Sequence, residues 1–113
     1  MRVAVVGPCA SGKSSLVEAL TERGYEAYSV AQEHSISSDL WARQQPDVLI
    51  FLDASLVSIR IRRESPGWSS HVYEQQRIRL HDARAAADLI IDTDALDRQA
   101  VVEAALVHLE TDR

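Results

Sequence analysis

Cysteine is nearly absent from this chain: Cys9 is alone among 113 residues, so no internal disulfide can form. Lysine is as scarce. Of the 12 lysine and arginine side chains, Lys13 is the single lysine. No apolar run exceeds Val48 to Leu52, far short of the roughly 20 residues that span a bilayer. A formal net charge of −5 leaves no basic excess for a generic nucleic-acid or anionic-membrane surface. The few residues ahead of Gly7 leave no room for a signal peptide, so a cytoplasmic protein is expected. Glycine is rare too, at four residues, yet Gly7 and Gly12 fall in one octet. What remains, 46% hydrophobic and 26% charged, suits one globular domain over residues 1–113.

The octet is Gly7-Pro8-Cys9-Ala10-Ser11-Gly12-Lys13-Ser14, which fits G-x-x-x-x-G-K-[ST], the phosphate-binding P-loop, without a mismatch. Its surroundings suit the motif. Arg2 to Val6 is a short β-branched run fit for a buried strand, and Leu16, Val17 and Leu20 carry helical spacing after it. Between strand and helix, successive loop N–H groups and a helix N-terminus would face a polyphosphate. Lys13 would reach the β- and γ-phosphates of a nucleoside triphosphate. The Ser14 hydroxyl would ligate Mg²⁺, and Ser15 continues the cradle.

Further along, residues 25–31 read as a second strand, and Leu40 to Gln45 as a short helix stopped by Pro46. Val48 to Asp53 is the strongest strand signal, a continuous apolar run of the kind buried on both faces of a parallel sheet. Ser55 can cap a helix running to about Arg63. Residues 64–70 form a loop, a long helix follows over about 71–86, and residues 88–92 are the last strand. Asp97 can cap a final helix on which Val102, Ala105, Leu106 and Leu109 share a face. Strands alternating with helices predict an α/β fold of about four parallel strands between two helical layers. Right-handed crossovers then bring the octet, Glu33-His34, Asp53 and Asp92 to Asp94 to one edge.

Two carboxylates compete for the metal. Asp53 ends an apolar strand, as a Walker-B aspartate does; Glu33 qualifies if its strand neighbours the first. His34 adds an imidazole that could orient a substrate or relay a proton. Arg60, Arg62 and Arg63 precede a Pro-Gly-Trp loop, and guanidinium groups that close over phosphate stabilise transition-state charge. Arg63, at the loop's edge, and then Arg60 are the favoured pair; Trp68 would cover the site or the core.

The octet, Val48 to Ala54, the arginine helix behind it and the Ala87 to Asp94 segment together resemble the small P-loop kinases, such as the adenylate, thymidylate and shikimate kinases. The resemblance implies a P-loop NTPase fold that binds ATP and Mg²⁺ and passes a phosphoryl group to a small acceptor. By it, Gly7 to Ser14 hold phosphate, Arg60 and Arg63 belong to a lid, and Asp92 to Asp94 lie near the base. This chain is short for that group: it lacks their extra strand–helix unit and most of the acceptor-binding segment. An acceptor pocket is then minimal, or a homodimer supplies it. A guanine-reading Asn-Lys-x-Asp motif cannot follow the octet, because Lys13 is the sole lysine. The competing reading is a nucleotide-binding module or slow ATPase whose bound state a partner reads.

Overall fold

Residues 1–111 are described in a computed structural model, a sheet of four parallel strands with four α-helices. The strands are β1 (Arg2–Val6), β2 (Glu26–Ser29), β3 (Val48–Asp53) and β4 (Leu89–Asp92). The helices are α1 (Lys13–Glu22), α2 (Leu56–Arg62), α3 (Ser70–Ala86) and α4 (Arg98–Thr111). Two of the helices lie between β3 and β4, and only 3₁₀ turns lie between β2 and β3. The sheet order is β2-β1-β3-β4, with every pairing parallel.

Side chains alternate across the two central strands and so build two cores. Val3 and Val5 of β1, with Ile50 and Leu52 of β3, meet Leu16 and Leu20 of α1 and Ala105 and Leu109 of α4. On the opposite face Ala4, Val6, Leu49 and Phe51 meet Leu80 and Ala83 of α3. The result is three layers, helix on sheet on helix. From β1 the chain moves to β2 through α1; from β3 it moves the other way to β4 through α3, on the other face. Opposite directions on opposite faces are what a common crossover hand demands. The reversal leaves a crevice between the carboxyl ends of β1 and β3, where open α/β sheets bind ligands.

The helix boundaries have local causes. Ser55 Oγ accepts from the Ser58 N–H, Ser69 Oγ from the Val72 N–H, and Asp97 Oδ1 from the Ala100 N–H, each capping one helix. Gly24, at φ 90°, closes α1 by donating to the Thr21 carbonyl. The expected Leu40 to Gln45 helix is instead one 3₁₀ turn, Leu40–Ala42. Buried Gln32 accounts for this: its Oε1 takes the Trp41 N–H, and its Nε2 donates to the Ser37 carbonyl. That side chain ties the connection down from inside, so no amphipathic helix is needed. Gln45, at φ 52°, then turns the chain ahead of Pro46. On α4, Val101 is buried with Ala105 and Leu109, while Val102 and Leu106 flank them half-buried. No helix among the described residues is long and apolar enough to cross a membrane.

Candidate functional site

The octet joins β1 to α1 at the crevice. Gly7 is buried against the sheet: an added Cβ would collide with the Leu52 carbonyl oxygen of β3 and come within 2.7 Å of Ser11 Oγ. Only glycine lets the loop leave β1 this close to its neighbour. The backbone is left-handed at Ala10 (φ 58°) and at Gly12 (φ 97°), the residue that precedes α1. No side chain caps α1, so its first N–H groups are free of the usual internal acceptor. Ser11 Oγ is buried without a hydrogen-bond partner.

Lys13 folds back across the loop. Its Nζ donates to the Gly7 carbonyl at 2.8 Å, to the Pro8 carbonyl at 3.1 Å and to Glu33 Oε2 at 2.7 Å. Glu33 sits in a 3₁₀ turn (Gln32–His34) just past β2, the strand paired with β1, and its side chain is only 5% exposed. Its other oxygen, Oε1, is buried without a hydrogen-bond partner. The turn is held from α3, where Arg79 donates to the Glu33 carbonyl.

Asp53 ends β3, which flanks β1 on its other side, and is placed differently. Its carboxylate is 41% exposed and lies 3.6 Å from Arg84 of α3, which also stacks on Phe51. Together with Pro8, Tyr73, His81 and Asp94 it lines a cavity of about 450 Å³ on the α3 face. Tyr73 donates to the Ala54 carbonyl; burial pushes its hydroxyl pKa up, Arg77 opposes this, and Asp53 and Asp94 add to it. Burial pushes Asp94 upward as well. The Ser55 N–H, the Ser58 and Ser55 hydroxyls and the Arg62 charge outweigh that effect and hold its carboxyl below the ordinary value.

Of the three arginines at the end of α2 and just beyond it, Arg62 is the one that reaches the octet. It donates to the Ala10 carbonyl at 3.0 Å, to Thr93 Oγ1 at 3.1 Å and to the Thr93 carbonyl at 2.7 Å. Thr93 is buried beyond β4 and donates in turn to the Asp53 carbonyl. Arg60 instead donates to the Trp68 carbonyl, and Arg63 lies 5.3 Å above the Trp68 ring. The favoured pair thus holds the Pro-Gly-Trp loop, and its neighbour touches the octet. Trp68 is half-buried beneath Arg63 and belongs to neither core. A groove of about 740 Å³ between α1 and α4 opens beside Arg62, with Ala10, Gly12, Ser15 and Thr93 on its walls.

Cys9 occupies the outer side of the octet. Buried Gln76 of α3 accepts from the Cys9 N–H through Oε1 and donates to Cys9 Sγ through Nε2 at 3.0 Å. His34 Nε2 lies 3.8 Å from the same sulfur. Nothing in the sequence points to Gln76, since a glutamine on an amphipathic helix reads as solvated. Arg62 carries a faint signal, standing three residues after Ile59, the buried anchor of α2. A scan against models of known protein families finds no match to this chain, and a search of curated proteins finds none either.

Proposed function

We propose that the Gly7–Ser14 loop is a P-loop that binds a nucleoside triphosphate, with ATP as the expected nucleotide, and that the protein passes its γ-phosphoryl group to a small acceptor. One observation carries this reading above the others. The only lysine is the first residue of a helix that no side chain caps, and its ammonium folds back over the glycine loop, held by two loop carbonyls and one buried carboxylate. A helix N-terminus and an ammonium on one glycine loop are a combination that accepts polyphosphate.

Mg²⁺ fits the donors at hand. The exposed Ser14 lies in the first turn of α1, and buried Glu33 holds an oxygen without a partner; both are the hard oxygen donors this ion takes. When bound, the ion would neutralise charge on the β- and γ-phosphates. Glu33 is the favoured carboxylate, because it is buried and already contacts Lys13. Asp53 faces Arg84 and the α3-side cavity instead. That cavity, with Arg84 and His81 among the acidic groups, is the candidate acceptor pocket. The base would take the groove between α1 and α4, and Arg62 would reach the transferring phosphoryl group.

The second reading, a slow ATPase or nucleotide-dependent module, is favoured by Arg60 and Arg63, which are occupied with Trp68 rather than turned toward the octet. Labelled ATP with Mg²⁺ and a panel of small hydroxyl, carboxyl and phosphate acceptors separates the two. Transfer to any acceptor supports the kinase; release of phosphate to water alone supports the module. Absence of any thermal shift with Mg·ATP would overturn both.

A further inference from the structure

We propose that Cys9, Glu33 and His34 form a binding site for a borderline-soft divalent cation of the zinc class. One ligand atom from each lies within 4.8 Å of the others. Sγ and Nε2 are 3.8 Å apart, and Nε2 is 4.0 Å from Glu33 Oε2. A tetrahedral zinc ion with ordinary bond lengths sets its sulfur and nitrogen ligands about 3.5 Å apart and its nitrogen and oxygen ligands about 3.4 Å apart. These two pairs are about 0.3 and 0.6 Å wider than that spacing, a shift that rotation of the exposed His34 side chain supplies, and the sulfur–carboxylate pair, within 4.8 Å, closes by a turn of the Cys9 side chain.

Two independent features mark the cluster as built rather than incidental. Glu33 is 95% buried by its side chain's 5% exposure, and its Oε1 has no hydrogen-bond partner, so the carboxylate holds unused ligating capacity beside the cluster. Gln76, 2% exposed, supports the sulfur from behind. Its Oε1 is committed to the Cys9 N–H, which fixes the amide orientation and leaves Nε2 to donate to Sγ. A fixed donor aimed at sulfur holds it in place, and outer-shell donors of this kind orient metal ligands.

The donor set selects the ion. One sulfur, one imidazole nitrogen and one carboxylate oxygen suit zinc, whereas Mg²⁺ takes oxygen donors. Three protein ligands leave a fourth position for water, and the exposed ring of His34 puts that position on the solvent side. On binding, the Cys9 S–H bond is replaced by a sulfur–metal bond and the proton leaves to buffer; nothing is oxidised or reduced. The site needs no nucleotide; it shares the Glu33 carboxylate with Lys13 and with the proposed Mg²⁺ site, so the two ions exclude one another there.

Cobalt(II) is the probe, added to the full-length protein in a non-chelating buffer with a phosphine reductant. The expected result is one equivalent bound, with the near-ultraviolet charge-transfer band of a cobalt–thiolate bond, and displacement of that band by zinc. Cys9→Ser should abolish the band, and His34→Ala should weaken binding at least about tenfold, the lower end of the loss seen when a site's supporting groups are removed. Circular dichroism confirms that both variants are folded. A wild-type titration without the band, a band that survives Cys9→Ser, or unchanged affinity in His34→Ala would each overturn the proposal. Lys13→Met keeps all three ligands, so it separates this site from nucleotide binding: cobalt should still bind where Mg·ATP does not.

Discussion

Lys13 Nζ and Glu33 Oε2 are 2.7 Å apart, and both side chains are largely withdrawn from solvent, at 14% and 5% exposure. Each group therefore depends on the other. Removing the ammonium leaves a buried carboxylate with no counter-charge, so Lys13→Met should destabilise the fold by about 3 kcal/mol. Replacing both, as Lys13→Met with Glu33→Gln, should recover most of that loss. Urea midpoints of the four proteins in this cycle provide the check; a double variant no more stable than the single one would contradict the coupling.

The same lysine tests nucleotide binding. Mg·ATP at a hundredfold excess over its Kd should raise wild-type stability by about 2.7 kcal/mol, and Lys13→Met should lose nearly all of that gain. Glu33→Gln should reduce Mg²⁺-dependent turnover more than Asp53→Asn does. The opposite ranking, read from initial rates across a magnesium titration, would return the metal to Asp53.

Arg62 makes three hydrogen bonds to Ala10 and Thr93, whereas Arg60 and Arg63 serve Trp68. Phosphoryl transfer should fall by at least about tenfold in Arg62→Ala, a loss of roughly 1.4 kcal/mol of transition-state stabilisation, and by less in Arg60→Ala or Arg63→Ala. Equal losses at all three positions in kcat would mean the whole helix, rather than this guanidinium, carries the effect.

Gly7→Ala should be among the most damaging single-methyl changes in the protein. The new Cβ meets the Leu52 carbonyl, which belongs to a central strand and cannot swing aside. A cost of about 3 kcal/mol is expected from overpacking. Gly67→Ala, where nothing lies within 4 Å of the added atom, is the control and should cost far less.

Asp94 carries a pH signature. Its carboxyl is held below the ordinary value of 3.8, so it binds a proton less readily folded than unfolded. Its stabilising contribution is therefore complete above the unfolded pKa and is lost as pH falls through the folded one. The stability gap between wild type and Asp94→Asn should be constant above about pH 5 and close below about pH 4. Thermal melts at stepped acidic pH read the gap directly.

Much of the framework was legible because it rests on short-range rules. Apolar runs such as Val48 to Leu52 have one plausible use, and Ser55 and Asp97 cap the helices they precede. The octet's position between strand and helix was equally plain. Relations that depend on what lies across the fold were not. The 3₁₀ turn at Leu40–Ala42 follows from Gln32 reaching nine residues ahead, and a helical pattern cannot register that. Arg60, Arg62 and Arg63 differ only faintly in sequence, and the docking of α2 against Thr93 is what separates them. Strand order does not choose between Glu33 and Asp53, since both β2 and β3 flank β1; what separates them is that Glu33 meets Lys13 and Asp53 meets Arg84 across the fold.

Strand order has one more effect. With β1 and β3 in the middle, β2 and β4 are each paired on one side only, which gives a small sheet two open borders. Such borders invite strand addition and fibril growth unless charge interrupts them. Both are short, at four residues, and each carries an acidic side chain, Glu26 on one and Asp92 on the other. Ile90, 42% exposed between Leu89 and Ile91, is the apolar position that Asp92 guards. Asp92 thus ends the β4 border with a charge, two residues before Asp94.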